Sequence, residues 1–289
     1  MSIKKDLVSG IFFTAISKYS GIIVSLVISG VLARLLSPEE FGVVGVATVI
    51  IVFFNILGDI GIGPAIIQRD NLNNSDLKSI HTFTTLIGVF LALCFFCSSW
   101  IIAKFYNNES LLYICQLLSI SIIFNCFGIV PQNLQYKAKN FKRIAFITLG
   151  IQITIGVLSI IFAYFGGGVY ALVFSQLGSS LLTSLTYNWY SKIAFSIHIH
   201  INSLRKIASF SIYQLLFNIV TYFSRNLDKI LVGKYIGLSQ LGYYEKSYRL
   251  MLMPLQNISF VIAPVLLPVF SDIKDNVSIV AEKLSLIHI

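Results

Sequence analysis

Residues 144–191, IAFITLGIQITIGVLSIIFAYFGGGVYALVFSQLGSSLLTSLTYNWYS, form an uncharged run that only three consecutive glycines interrupt. About 20 apolar residues in helical form cross the hydrocarbon core of a bilayer, which is about 30 Å thick. The run is therefore long enough for two spans. Gly166, Gly167 and Gly168 predict a tight helical hairpin between them.

The same kind of segment fills almost the whole chain. With 56% hydrophobic and only 11% charged residues, the sequence leaves no room for a soluble domain between the spans. Lipid offers no hydrogen-bond partners to the backbone, so spans of this length must be helices rather than the short strands of a barrel. The predicted fold class is all-α, a polytopic integral membrane protein. Its eight predicted spans are 9–34, 41–67, 80–103, 111–131, 144–165, 169–190, 207–233 and 249–271.

The net charge of +9 follows the predicted topology. If the N-terminus is cytoplasmic, thirteen of the 21 lysines and arginines lie in inner segments, five lie outside and three lie within spans. Short cytoplasmic loops carry this excess of Lys and Arg in membrane proteins in general. The basic charge therefore needs no nucleic-acid partner, and it predicts a cytoplasmic N-terminus.

Cysteine and histidine give no sign of a metal or catalytic site. Cys94 and Cys97 have C-x-x-C spacing, but they fall inside a span without further ligands nearby, where a thiol behaves as a small apolar group. We expect neither a bound metal, nor a cofactor, nor catalytic residues.

An internal repeat is visible when the chain is shifted by 200 residues. Gly42 then falls on Gly242, and Pro64 falls on Pro264. Six spans separate the two copies, and an even number restores their orientation, so the copies would be parallel repeats. The sequence predicts a six-helix lobe over residues 1–200 and the first two helices of a second lobe over 201–283.

Ionisable side chains inside spans are the sharpest functional signal. Each costs about 2.5–3.5 kcal/mol at the centre of a membrane helix, even on lenient scales. All of them lie in spans one, two and seven: Lys18, Asp59, Arg225, Asp228 and Lys229.

Two polar helix faces coincide under the 200-residue shift. Lys18 and Ser25 share one face of span one, and Asn218 and Arg225 share one face of span seven. We interpret these faces as the walls of a cavity for an anionic cargo. Its predicted substrate-binding residues are Lys18, Ser25, Asn218, Arg225 and Lys229.

A structural explanation of the same charges stays open. Small residues also serve close helix packing, Arg225 and Asp228 could pair along one helix, and Lys18 and Lys229 could reach opposite membrane surfaces. Asp59 and Asp228 are candidates for ion coupling or for salt bridges.

Several motifs resemble those of one transporter family. They are VLARLLSPEEFG (31–42), GDIGIGPAIIQR (58–69), NLDKILVG (226–233), LGYY (241–244) and PLQNIS (254–259). Together they resemble Wzx-type polysaccharide flippases of the multidrug/oligosaccharidyl-lipid/polysaccharide exporter superfamily.

That resemblance implies a bundle of two lobes with six helices each, in the bacterial cytoplasmic membrane. It implies that undecaprenyl-pyrophosphate-linked oligosaccharides cross from the cytoplasmic to the outer leaflet by alternating access, for lipopolysaccharide or exopolysaccharide biosynthesis. Membrane lipids, the polysaccharide polymerase and the glycosyltransferases of the same pathway would be its partners. A pyrophosphate group would suit the cations at Lys18 and Arg225.

The chain carries eight predicted spans where the resemblance implies about twelve. Residues 284–289, LSLIHI, are what a common sequencing-adapter sequence encodes. We therefore expect that these six residues are adapter-derived and that the natural protein continues beyond about residue 283.

Two other functions remain as alternatives. A cation-coupled multidrug exporter of the same superfamily would use Asp59 as its ion site. A membrane enzyme that polymerises or ligates polyprenyl-linked sugars would be expected to carry a large outer loop, and every predicted outer loop here is short.

Overall fold

The structure is a computed structural model that describes the backbone of residues 3–69, 71–196 and 201–271, and the side chains of 9–69, 71–196, 212–252, 265 and 267. The described residues form helices without any strand, which confirms the all-α class. In chain order the elements are α1 (Ile3–Leu35), α2 (Pro38–Asp59), α3 (Ile62–Gln68), α4 (Asn74–Tyr106), α5 (Ser110–Lys137), α6 (Phe141–Phe162), a π-helical turn (Ala163–Gly167), α7 (Val169–Ser191), α8 (Ile201–Tyr235) and α9 (Leu238–Ser271).

Six helical segments among the described residues are long and apolar enough to cross a membrane, which makes this a multi-pass membrane protein. They are Ser9–Leu35, Pro38–Gln68, Asn74–Tyr106, Ser110–Lys137, Phe141–Gly167 and Val169–Ser191. The seventh and eighth predicted spans coincide with α8 and α9. In α8, any 18 consecutive residues with described side chains include the three charged residues Arg225, Asp228 and Lys229. In α9, most side chains lie outside the described residues. The seventh and eighth spans therefore stay predictions.

The second predicted span, 41–67, is not one continuous helix. It ends as α2 at Asp59, because Ile60 (φ 46°) and Gly61 (φ 68°) adopt left-handed backbone conformations before α3 begins. The Asp59 carboxylate accepts a hydrogen bond from the Gly63 amide at 3.1 Å. This bond satisfies one of the free amides at the start of α3, which explains a carboxylate at a break inside the membrane.

The predicted hairpin at the glycine run is confirmed, and a second tight connector precedes α2. Ser37 caps α2 in a reciprocal pair with Glu40, whose carboxylate accepts from the Ser37 amide at 2.7 Å. The glycine run closes the hairpin between α6 and α7, with φ of 88° at Gly166 and 52° at Gly168. Such angles favour glycine, because a side chain there would be strained.

Aromatic side chains mark both ends of the α6–α7 hairpin. Tyr164 and Phe165 are exposed at the glycine turn, and Trp189 and Tyr190 are exposed at the opposite end of α7. The part of α7 between them, residues 169–188, is about 30 Å long at 1.5 Å per residue, which matches the hydrocarbon thickness. Aromatic residues are enriched at both membrane interfaces.

The α5 helix is the centre of the packed bundle, in contact with α2, α3, α4 and α7. Its fully buried residues include Leu111, Ile114 and Leu118, which pack in the largest apolar cluster. By contrast, α1 packs mainly against α6 and α9 at the side of the bundle. The side of the bundle that α1 occupies therefore leaves space between helices.

The α2 and α9 helices cross in direct backbone contact at Gly42 and Gly242. A methyl group added at Gly42 would overlap the Leu238 carbonyl, and one added at Gly242 would overlap the Pro38 carbonyl. Leu238 and Gly242 are the residues that correspond to Pro38 and Gly42 under the 200-residue shift. The crossing therefore has two equivalent halves, as a local two-fold axis would produce.

Candidate functional site

A cavity of about 470 Å³ lies between α1, α2, α8 and α9, beneath the Gly42–Gly242 crossing. We call it the charged cavity. Volumes of 300–1,000 Å³ are typical of sites that bind small molecules. Its charged lining residues are Lys229, Glu245, Lys246 and Arg249, and polar residues that join them are Ser25, Ser29, Thr48 and Asn226.

The charged cavity is positive on balance. Its described lining contains three cations and one carboxylate. Lys229 Nζ lies 2.9 Å from Glu245 Oε1, so this pair neutralises itself. The Lys246 ammonium lies 3.6 Å from the centre of the Phe41 ring, and Arg249 donates a hydrogen bond to Ser25 Oγ. Two cations therefore lack a carboxylate partner in the cavity wall, and they favour an anionic ligand.

Asp228 fastens α8 to α9 next to the charged cavity. Its carboxylate accepts hydrogen bonds from the Tyr244 hydroxyl at 2.6 Å and from the Lys229 amide at 2.8 Å. Tyr244 lies on α9, so this bond ties the two helices together beside the cavity. Arg225 and Asp228 form no ion pair among the described residues, where Asp228 has these other partners.

Three charged residues of the cavity were missed by the sequence analysis. Lys246 and Arg249 were assigned to the outer side, and Glu245 was not considered. Gly242, Glu245, Lys246 and Arg249 are spaced i, i+3, i+4 and i+7 along α9, so they share one helix face. That spacing is the signal that could have identified them, because Gly242 is also the point where α9 touches α2.

The structure brings together only some of the predicted substrate-binding residues. Ser25 and Lys229 line the charged cavity. Lys18 and Arg225 are exposed and lie outside its lining, and Arg225 makes no ion pair or hydrogen bond with any described residue. Asn218 accepts a hydrogen bond from Gln214 on the same helix at 3.0 Å. The predicted polar face of α8 thus reaches the cavity only at its later turns.

Asp59 lies far along α2 from the charged cavity. Within the described part of the chain it forms no salt bridge, and its carboxylate accepts a hydrogen bond from the Gly63 amide. Asn55, one turn earlier, accepts a hydrogen bond from Asn125 of α5 at 3.2 Å. The surroundings of Asp59 are therefore those of a helix cap.

A second cavity, of about 440 Å³, lies between α1, α5, α6 and α7. We call it the hydroxyl cavity. It shares Ser25, Ser29 and Arg249 with the charged cavity, and Arg249 is the only charged side chain among its described lining residues. Its other polar lining residues are Gln132, Thr148, Gln152, Ser175, Ser179, Thr183 and Tyr187.

No group of three or more His, Cys, Asp or Glu residues in the described part of the chain could hold a metal ion. The chemistry that both cavities offer is therefore recognition by charge and hydrogen bonds.

The comparison with known families agrees with these features. Residues 31–287 match the model of a family described as polysaccharide biosynthesis protein. The chain belongs to this family. The resemblance read from the sequence motifs is thereby confirmed.

Individual relatives carry names from the same field. The chain is 30% identical to the teichuronic acid biosynthesis protein TuaB of Bacillus subtilis, with 97% of the chain and 59% of the relative aligned. It is 25% identical to the lipopolysaccharide biosynthesis protein WzxC of Escherichia coli, over 96% of the chain and 56% of the relative. It is 23% identical to the succinoglycan biosynthesis transport protein ExoT of Rhizobium meliloti, over 93% of the chain and 54% of the relative. The chain thus spans between half and two thirds of the length of these relatives, and no solved structure matches it significantly.

Proposed function

We propose that the protein carrying this chain is a flippase for undecaprenyl-pyrophosphate-linked oligosaccharides, working by alternating access in lipopolysaccharide or exopolysaccharide biosynthesis. The observation that carries the proposal is the charged cavity, with three cations and one carboxylate inside a bundle of the polysaccharide biosynthesis family. One relative is named a transport protein, which supports transport rather than an enzymatic reaction.

A pyrophosphate is the part of such a substrate that fits the charged cavity. Cations within a membrane protein are costly and persist where they face a cavity or a partner. Lys246 and Arg249 have no carboxylate partner among the described residues of the cavity wall, and Lys229 would exchange Glu245 for a phosphate oxygen. The polyprenyl tail would remain in lipid beside α1, where Ile23 and Val27 are exposed.

The orientation we propose places the N-terminus in the cytoplasm of a bacterium and the protein in its inner membrane. Opposite ends of the bundle hold different charges. Lys137 donates a hydrogen bond to the Ile66 carbonyl at 2.9 Å and a second to Arg69, at the end with most lysines and arginines. Lys234 donates to the Phe105 carbonyl at the other end. The positive-inside rule assigns the first end to the cytoplasm.

The two-lobe organisation, residues 1–200 and 201–283, is part of the same proposal. The equivalent halves of the Gly42–Gly242 crossing support it, since parallel repeats would meet about such an axis. In the proposed orientation this crossing lies toward the outer face. The described arrangement is then closed toward the outside, and transport requires α2 and α9 to separate.

The test is removal of cavity charge in the full-length protein, in a bacterium deleted for its own flippase. We expect Lys246→Met combined with Arg249→Met to lower polysaccharide export at least tenfold at matched expression, since a lost interaction of about 1.4 kcal/mol weakens binding by that factor. Lys104→Met is the matched control, because Lys104 is exposed at a helix end, 5.3 Å from the Trp100 ring, and lines neither cavity.

Export by the double variant at the level of the control would refute recognition in the charged cavity. The drug-exporter alternative would instead show proton-dependent efflux of organic cations by purified protein. The drug-exporter alternative uses Asp59 as its ion site. The geometry of Asp59 is that of a helix cap, which does not favour an ion site.

A further inference from the structure

The α7 helix presents a column of hydroxyl groups to the hydroxyl cavity. Ser175, Ser179, Thr183 and Tyr187 follow one another at intervals of four residues, so they lie on one helix face. The rise of 1.5 Å per residue places successive members about 6 Å apart along the helix axis. The column thus runs through about half of the length of α7.

These hydroxyls differ from those one position further along α7. Ser180 and Ser184 bond to the carbonyls of Leu177 and Leu181 on their own helix, each at 2.9 Å. Ser175, Ser179 and Thr183 form no hydrogen bond with any described residue. Serine and threonine within helices commonly bond back to the preceding turn, so the cavity face is the one that keeps its hydroxyls free.

Tyr187 is the strongest indication of a ligand. Its side chain is 1% exposed, and its hydroxyl finds no hydrogen-bond partner among the described residues. Thr148 of α6 stands beside it at a geometry too poor for a hydrogen bond. An unpaired buried hydroxyl is unfavourable, and this cost would be removed by a ligand that can donate or accept.

Two amides complete the polar wall. Gln152 of α6, which lines the cavity, donates to the Gly21 carbonyl of α1 at 2.7 Å, and its own oxygen has no donor among the described residues. Gln132 of α5 makes no hydrogen bond with any described residue. The cavity therefore combines hydroxyls that both donate and accept with amides that do the same.

We propose that the hydroxyl cavity is the subsite for the neutral, polyhydroxylated part of the substrate, the sugars nearest the pyrophosphate. This inference rests on the proposed function. The charged cavity holds the phosphates, and the shared wall of Ser25, Ser29 and Arg249 joins the two subsites. A ligand with an anionic group attached directly to sugars would occupy both at once.

The lining selects against charged sugars in this subsite. Apart from Arg249 at the shared wall, no ionisable Asp, Glu, Lys, Arg or His occurs among the described lining residues. A uronic acid placed deep in the cavity would lose its hydration without gaining a cation, which is costly. Any acidic sugar of the repeat unit therefore lies outside the hydroxyl cavity.

The experiment separates the two subsites with two probes in purified full-length protein. One probe is farnesyl pyrophosphate, and the other is the same lipid with one glucosyl residue on its pyrophosphate. We expect wild-type protein to bind the glucosylated probe about tenfold more tightly, since a few added hydrogen bonds account for such a factor. Ser179→Ala, Thr183→Val and Tyr187→Phe combined should abolish this advantage and leave binding of the bare probe unchanged.

Ser180→Ala combined with Ser184→Ala is the matched control, which removes hydroxyls from the same helix that bond to their own backbone. It should retain the full advantage of the glucosyl group. If the triple variant does not fold, Tyr187→Phe alone removes one oxygen without changing shape and should lower the advantage by several-fold.

The possible outcomes distinguish this inference from the proposed function. Equal binding of both probes by wild-type protein, or an undiminished advantage in the triple variant, would overturn the sugar subsite while the flippase proposal stands. Failure of wild-type protein to bind either probe would contradict the flippase proposal itself.

Discussion

Apolar 18-residue stretches in the first and fourth membrane segments have the same mean hydropathy and opposite surroundings. The value is 1.9 for the stretch within Ser9–Leu35 of α1 and for the one within Ser110–Lys137 of α5, yet 0% of the first is buried inside the bundle, against 50% of the second. Mean hydropathy reflects the free energy of transfer from water into an apolar environment, and both lipid and the protein interior provide one. It therefore predicts that both helices lie in the membrane, but not which of them is enclosed by other helices.

The two helices face different neighbours. At the α5 helix, Gly58 of α2 and Gly88 of α4 both face Cys126, so three helices approach closely. At the α1 helix, Ser25 and Ser29 face the two cavities instead. The comparison predicts that substitutions around α5 change stability, whereas substitutions on the open side of the bundle change transport.

The largest effect is expected for Gly88→Val at the packed side. The first added carbon would lie 2.5 Å from Cys126 Cβ, so α4 and α5 must separate. Overpacking of this kind costs about 1–3 kcal/mol. The thermal unfolding midpoint in detergent, measured by fluorescence-detected size exclusion, should therefore fall by several degrees.

Gly150→Val is the control for this substitution, because no atom lies within 4 Å of the added carbon at that position of α6. Equal midpoints for the two variants would show that α5 is not enclosed as described.

We expect Gly242→Ala to lower stability less than Gly88→Val does, and to make the charged cavity more accessible from outside. The added methyl would overlap the Pro38 carbonyl, which forces α2 away from α9 at the crossing. With Thr48→Cys as a reporter in the charged cavity and the native cysteines replaced by alanine, labelling by a membrane-impermeant maleimide from outside should accelerate several-fold.

Gly30→Ala serves as the reference, since its added carbon meets nothing within 4 Å on α1. Unchanged labelling in Gly242→Ala would mean that the crossing does not close the charged cavity toward the outside.

The smallest effect is expected at Asp59, where the two explanations diverge. As a cap of α3, Asp59→Ala should cost about 1 kcal/mol, and Asp59→Asn much less, because an amide oxygen can still accept from Gly63. Export should therefore survive Asp59→Asn. Loss of export at an unchanged unfolding midpoint would instead identify Asp59 as an ion-coupling residue.

The membrane class and most helices could be predicted from sequence because length and hydropathy are local properties. The hairpin at Gly166–Gly168 depends on a few neighbouring residues, and it was predicted correctly. The break after Asp59 was missed because Ile60 is apolar, and a hydropathy average does not register its left-handed backbone.

The candidate site was predicted only in part. Ser25 and Lys229 were identified by helical periodicity, but Lys246 and Arg249 were counted with the outer cations because the helix face that they share with Gly242 was overlooked. The hydroxyl cavity escaped notice because serine and threonine are common in membrane helices. Their significance depends on whether each bonds to its own backbone, as Ser180 does and Ser179 does not, and only coordinates provide that information.

The paired contact at Gly42 and Gly242 carries an evolutionary consequence. Because each glycine meets the carbonyl that corresponds to the one its counterpart meets, the crossing is self-complementary. An undivided ancestral unit with the same helix could have formed it as a homodimer, with one codon supplying both glycines. After gene fusion, each of the two glycines would have its own codon. The two repeats could then diverge in sequence, while both positions keep glycine because the facing backbone leaves no space for a side chain.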